Sequence, residues 1–197
     1  MLSKSIFMGI IAAIILQRLL ELRHSKQNAA YILAQGGREY NDNLLGAVKV
    51  LQVSWWMAMI VEVWWLERPF IPVLAAAALL ATLAGQVLRY LSMRSLGQRW
   101  TLPIMTLPHQ PVVDSGIYSY LRHPNWLGVI LEIAALPLIH SAYLTAIFFS
   151  IANAWLMSKR IKAEERALSE DTNYAYVFGY KPRFIPGIRF FKAAKTT

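Results

Sequence analysis

The 197-residue chain contains no cysteine. That excludes disulfides, thiolate metal sites and a cysteine nucleophile, and it leaves the redox compartment undetermined. The histidines, His24, His109, His123 and His140, lack metal-ligand spacing, so no metal centre is expected. Charged side chains are scarce, at 16% of residues. No internal repeat and no low-complexity linker is present, and the Gly36-Gly37 pair does not make the glycine-rich phosphate loop of a Rossmann-type cofactor domain.

Apolar residues fill the chain instead, at 56%. They form stretches over 2–22, 44–66, 70–91 and 126–156, the last interrupted near 137–141. Each unit approaches the ~20 residues that cross a bilayer. The pattern predicts an all-helical polytopic integral membrane protein with five spans, the last two a short hairpin. Lys4 ahead of an apolar core also fits a signal peptide, but Gln17 and Arg18 follow that core where cleavage requires small residues.

With spans taken in order, one side of the membrane collects Arg23, Lys26, Arg38, Arg89, Arg94, Arg99, Arg122 and the cations from Lys159 to Lys195. The other side holds Lys4 and Arg68. The positive-inside tendency then puts the N-terminus outside and the C-terminus in the cytoplasm. The net charge of +9 reads as topology and contact with anionic membrane lipids, not as nucleic-acid binding.

One membrane-embedded domain is expected over 1–197, with a three-helix part at 1–95 and the chemistry in 96–197. Arg18, Glu21 and Arg23 are spaced for local pairing and snorkelling at the end of span one, and a loop over 24–43 should lie in the interface. Trp64 and Trp65 read as an outer aromatic belt, whereas Trp55 and Trp56 lie deeper and either face lipid or line a cavity for a lipid substrate. The small residues of "LAAAALLATLAG" favour close helix approach.

The chemistry is expected around "SGIYSYLRHPNWLGVILEIAALP", residues 115–137. Pro124 suits the first turn of span four, which leaves that turn's N–H groups open to an anion, with Arg122 and His123 at the corner. An equal reading makes Arg122 a topology charge and His123 a cap. Glu132 lies about 12 Å along the same helix, on one face with Asn125 and Gly128. A carboxylate at that depth is a functional candidate, here a general base toward an acceptor hydroxyl. The alternative is a hydrogen bond pairing it with Asn153 of span five. Beyond span five, Lys159, Arg160, Lys162, Glu164, Glu165 and Arg166 fit a solvated helix, and the tail through Tyr180, Arg183 and Pro186 fits a segment that docks back on the bundle.

Taken together, "GIYSYLRHPNWLG", a hydrophobic hairpin, "RIKAEERAL" and "YKPRFIPG" resemble the isoprenylcysteine carboxyl methyltransferase family over roughly residues 96–188. The resemblance implies a cytoplasmic S-adenosylmethionine site formed by Arg122, His123, Pro124, Asn125, Arg160, Glu164 and Glu165 and closed by Tyr180 and Arg183 of the tail. It further implies a lipid acceptor entering from the bilayer. By their depth in the spans, Trp55, Trp56, Glu132 and Asn153 are expected to meet that acceptor, with Glu132, His123 and Arg160 as the expected catalytic residues. The segments upstream are similar to the bacterial branch, some members of which are associated with alkylresorcinol or alkylpyrone methylation, and this places the chain in a bacterial inner membrane. Trp126 stands where many relatives have tyrosine, and "DTNYAYVFGYKPRF" departs from the usual tail. The expected activity is O-methylation of a carboxylate, phenol or enol on a prenylated or long-chain lipid. The competing class is a non-enzymatic transporter or assembly subunit in which Glu132 relays ions.

Overall fold

The computed structural model describes residues 2–41 and 43–185. Its helices are α1 (Leu2–Ala34), α2 (Leu45–Trp65), α3 (Pro72–Leu96), α4 (Pro124–Ala135), α5 (Tyr143–Asp171) and the short α6 (Tyr174–Phe178). A 3₁₀ turn, Leu136–His140, extends α4, and two-residue strands β1 (Arg38–Glu39) and β2 (Met105–Thr106) pair antiparallel. Pro186, which the sequence assigned to the docking tail, lies outside the described residues.

Local sequence sets these limits. From Ile10 to Gln35 the chain has neither glycine nor proline, so α1 does not stop where its apolar stretch ends. The loop expected from residue 24 is instead helical to Ala34, and the chain turns only at Gly36, whose φ of 79° suits glycine. At 33 residues α1 is about 50 Å long, more than a bilayer core requires. Pro72 and Pro124 stand in the first turns of α3 and α4, where a missing N–H costs nothing.

The helices run back and forth between two ends. At one end the His140 ring lies 5.7 Å from Phe7 and 5.8 Å from Phe70. There Glu62 of α2 accepts the N–H groups of Leu144 and Thr145 at 3.1 and 2.7 Å, capping the first turn of α5. At the other end Asn28 donates to the carbonyls of Gly97 and Trp100, at 3.2 and 2.7 Å, and Arg38 pairs with Asp171 at 3.2 Å. Between these two ends run α1, α2, α3, the Pro124–His140 segment and α5. Helices α1, α2 and α3 are long and apolar enough to cross a membrane, whereas Pro124–His140 is a shorter apolar helix.

Phe7, Ile11, Trp55, Met59, Ile133 and Leu136 form the core near the first end. Outside, side chains such as Val73, Leu80, Phe148 and Ile151 are exposed, as a lipid-facing surface requires. Helices α3 and α4 cross glycine on glycine: a Cβ on Gly128 would meet the Gly85 carbonyl oxygen at 2.6 Å, and one on Gly85 would meet the Gly128 carbonyl oxygen at 2.8 Å. Only residues this small allow that approach.

Candidate active site

The crossing of α3 and α4 leaves a cavity of about 480 Å³ between α1, α2, the 97–123 loop and α5, a size typical of ligand sites. Its polar part is lined by Arg122, His123, Asn125, Trp126, Arg160 and Glu164. Its deeper wall is mostly apolar, with Leu19, Leu22, Leu51, Val53, Trp56 and Val129, and is interrupted by Arg18, Glu21, Gln52 and Arg89.

The polar part is assembled around α5. Glu165 receives Nε and Nη2 of Arg183 at 2.9 and 2.5 Å, and His123 Nε2 lies 3.0 Å from its Oε1. Arg122 Nη1 and the Tyr174 hydroxyl approach the same oxygen at 3.5 Å. The backbone repeats this closure, because the N–H groups of Arg122 and His123 donate to the carbonyls of Pro182 and Arg183 at 3.0 and 3.2 Å. Burial pushes the Glu165 carboxyl up, but the hydrogen bonds and charges of His123 and Arg183 outweigh it and hold the pKa at about 2. Glu165 is therefore an ionised clasp between the corner and the tail.

One residue earlier, Glu164 accepts the Trp126 indole N–H at 3.0 Å. The Arg160 guanidinium sits 5.2 Å from the Trp126 ring and donates to the Leu102 carbonyl at 2.7 Å. The Asn125 side-chain oxygen is buried with no hydrogen-bond partner. The corner thus presents two guanidiniums, one half-exposed carboxylate and a free acceptor to one space. Among the described residues no group of three or more His, Asp or Glu side chains is placed to hold a metal ion.

Arg122, His123, Pro124, Asn125, Arg160, Glu164, Glu165 and Arg183 are brought together here, whereas Tyr180 is exposed on the tail. Trp56 and Asn153 line the cavity, and Trp55 is instead fully buried in the core. Glu132 is buried as well, but it pairs with Arg18 of α1 and not with Asn153. Arg18 also pairs with Glu21 at 2.5 Å, and Arg89 of α3 donates to the same Glu21 oxygen at 2.5 Å. Arg18, Glu21 and Arg89 all line the cavity. Sequence reasoning placed Arg18 and Glu21 at the membrane interface and counted Arg89 among the charges that set topology. The signal was available, since each stands within an apolar stretch, but their mutual pairing depends on how α1, α3 and α4 meet.

A family model described as the isoprenylcysteine carboxyl methyltransferase family matches residues 77–170. An uncharacterized protein of Bacillus subtilis, YpbQ, is 36% identical over 173 residues, which are 83% of this chain and 97% of that protein. The chain belongs to the isoprenylcysteine carboxyl methyltransferase family. The protein-S-isoprenylcysteine O-methyltransferase of Rattus norvegicus is 25% identical over 149 residues, 74% of this chain and 52% of the rat protein. The solved structure of a eukaryotic intramembrane Ras methyltransferase of the same family shares the fold, with a TM-score of 0.56 at 22% identity, over 77% of this chain and 54% of that one. The chain therefore spans about half the length of these two methyltransferases. Its apolar helices and its family membership identify an integral membrane protein. Within the family match lie most of α3, the Arg122–Pro124 corner and the Arg160–Glu165 turn, while α1 and α2, which carry much of the apolar cavity wall, lie before it.

Proposed function

We propose that the protein is an integral membrane S-adenosylmethionine-dependent O-methyltransferase whose acceptor is the carboxylate, phenol or enol of a prenylated or long-chain lipid. The observation that carries this reading is the single cavity joining a polar cytoplasmic corner to an apolar intramembrane wall. A water-soluble donor and a lipid acceptor can meet there end to end.

The corner fits the donor's amino-acid moiety, because guanidiniums suit a carboxylate and Glu164 suits an ammonium group. Arg122 and Arg160 would hold the former, and the unpartnered Asn125 oxygen would accept a further donor hydrogen. When bound, S-adenosylmethionine supplies an electrophilic methyl group on a sulfonium. The protein's own work is positioning and drying. Trp126 fixes Glu164 and Arg160 relative to each other, the Glu165–Arg183 clasp shuts the corner from water, and Leu51, Val53 and Trp56 hold an aliphatic chain. Glu132, bonded to Arg18, acts through that guanidinium as a positioning residue.

Calorimetric titration of S-adenosylmethionine into purified protein, followed by transfer of a labelled methyl group to membrane lipids, tests the reading. Binding with transfer is the expected result. No donor binding by folded protein would overturn it. In the same reading the chain is one membrane-embedded unit with five spans in a bacterial inner membrane, the N-terminus outside and the corner cytoplasmic. Reporter fusions at the two termini should report opposite sides.

A further inference from the structure

One side of α5 takes no part in the cavity. Asn153, Arg160, Glu164 and Leu168 line that space and share one side of the helix. On the opposite side Phe148, Ile151, Trp155, Lys159, Lys162 and Arg166 are exposed. At about 100° per residue these six fall within an arc of about 80°, so they form one continuous stripe. Its character changes along its length. The stripe is apolar through Ile151, carries an indole at Trp155 and is cationic from Lys159 onward.

The three cations have no carboxylate of their own. Glu165 is taken by Arg183 and His123, Glu164 turns to Trp126, and Asp171 pairs with Arg38. Glu170, the remaining carboxylate on this part of α5, lies 3.5 Å from the Tyr40 hydroxyl, and among the described residues it makes no ion pair with Arg166. The Lys159 ammonium instead sits 4.1 Å from the centre of the Trp155 ring. Helical side chains lean toward the helix N-terminus, so all three cations reach back toward the apolar part of α5 and the bilayer.

Length adds a second constraint. From Tyr143 to Trp155 the helix rises about 20 Å, against a hydrocarbon core of about 30 Å. The stripe therefore turns cationic before a full core has been crossed. A short apolar stretch draws the polar boundary of the leaflet toward it, and the anion which that boundary supplies is lipid phosphate.

We propose that this stripe is a binding site for an anionic phospholipid, its chains along Phe148 and Ile151, its glycerol level with Trp155 and its phosphate held by Lys159, Lys162 and Arg166. The same cations repel the ammonium of a zwitterionic headgroup, so the site selects for net negative charge. It lies on the far side of α5 from the cavity and goes beyond the methyltransferase reading, from which it takes only the position of α5 in the bilayer.

The test adds an equal mixture of dioleoyl phosphatidylglycerol and dioleoyl phosphatidylcholine to the detergent-solubilised protein and counts the retained lipids by native mass spectrometry. Wild type should prefer phosphatidylglycerol by about tenfold or more. Lys159→Gln/Lys162→Gln/Arg166→Gln should lose that preference, and Lys159→Arg/Lys162→Arg, which keeps the charge, should retain it. Arg23→Gln/Lys26→Gln/Arg94→Gln removes as much charge from exposed positions on α1 and α3 and should also retain it. Equal retention of the two lipids by wild type leaves the stripe to another occupant, such as an acidic soluble partner, and overturns the proposal. Equal loss in the two glutamine variants overturns it as well, because the preference then follows net charge and not a site. No arm of the experiment uses S-adenosylmethionine or methyl transfer, so the lipid site and the methyltransferase reading fail separately.

Discussion

Arg18 on α1 and Glu132 on α4 are ion-paired deep in the bundle although 114 residues separate them in sequence. Both are nearly buried, and the pair draws α1 against the helix that follows the Arg122–Pro124 corner. Removing Glu132 leaves the buried Arg18 and Arg89 guanidiniums sharing Glu21 alone, a net buried charge of the kind that typically costs about 3 to 5 kcal/mol. Glu132→Gln should therefore lower thermal stability strongly, and adding Arg18→Gln should restore most of the loss. If the single variant melts with wild type, the pair does not hold α1 to α4.

Acid should release the tail before it unfolds the bundle. Glu165 has its pKa lowered in the folded state, from 4.5 to about 2, so its contribution to stability is complete above about pH 4.5 and is lost as pH falls toward 2. Limited proteolysis near residue 183 should become faster across that window. Glu165→Gln should show the fast cleavage already at pH 7 and should bind S-adenosylmethionine about tenfold more weakly.

Trp126 holds two groups of the corner at once, by its ring and by its N–H. Trp126→Phe keeps an aromatic face for Arg160 but leaves Glu164 without that donor. The expected outcome is a several-fold rise in the KM for S-adenosylmethionine, with kcat and the melting temperature almost unchanged, in line with loss of one hydrogen bond to a charged group. A fall in kcat at unchanged KM would show that the indole touches the reacting atoms instead.

A methyl group at the α3–α4 crossing has nowhere to go, since the nearest obstacle is the backbone carbonyl oxygen of the facing glycine. Gly128→Ala should destabilise the protein by about 1 to 3 kcal/mol through forced separation of the helices. Gly9→Ala is the matched control, because a Cβ there meets nothing within 4 Å. Equal melting temperatures for the two variants would contradict the close crossing.

Much of this arrangement was legible in the sequence, for identifiable reasons. Apolar run length and proline position located the helices, because both act locally. The Arg122–His123–Pro124 corner and the Arg160–Glu165 turn could be linked because their spacings together resemble a family pattern. The Arg18–Glu21–Arg89–Glu132 cluster could not be assembled, since nothing local in α1 says which face of α3 or α4 it will meet. Glu165 shows the same limit. Its neighbour Glu164 lines the cavity, and one helical step of about 100° turns Glu165 onto the tail. Adjacent glutamates with separate partners are indistinguishable until the tail has docked.

Glu62 has a consequence for how the bundle is built. It caps α5, but the carboxylate is synthesised 82 residues before the first N–H group it accepts. Until then Arg68, six residues on, is the partner its own segment supplies. The first turn of α5, for its part, reaches the His140 end of the bundle with N–H groups for which α2 holds the acceptor. Assembly of the last helix is thus a templated step: α2 must already stand in register before α5 can be seated, and the hairpin that completes the cavity wall is closed by a residue laid down near the beginning.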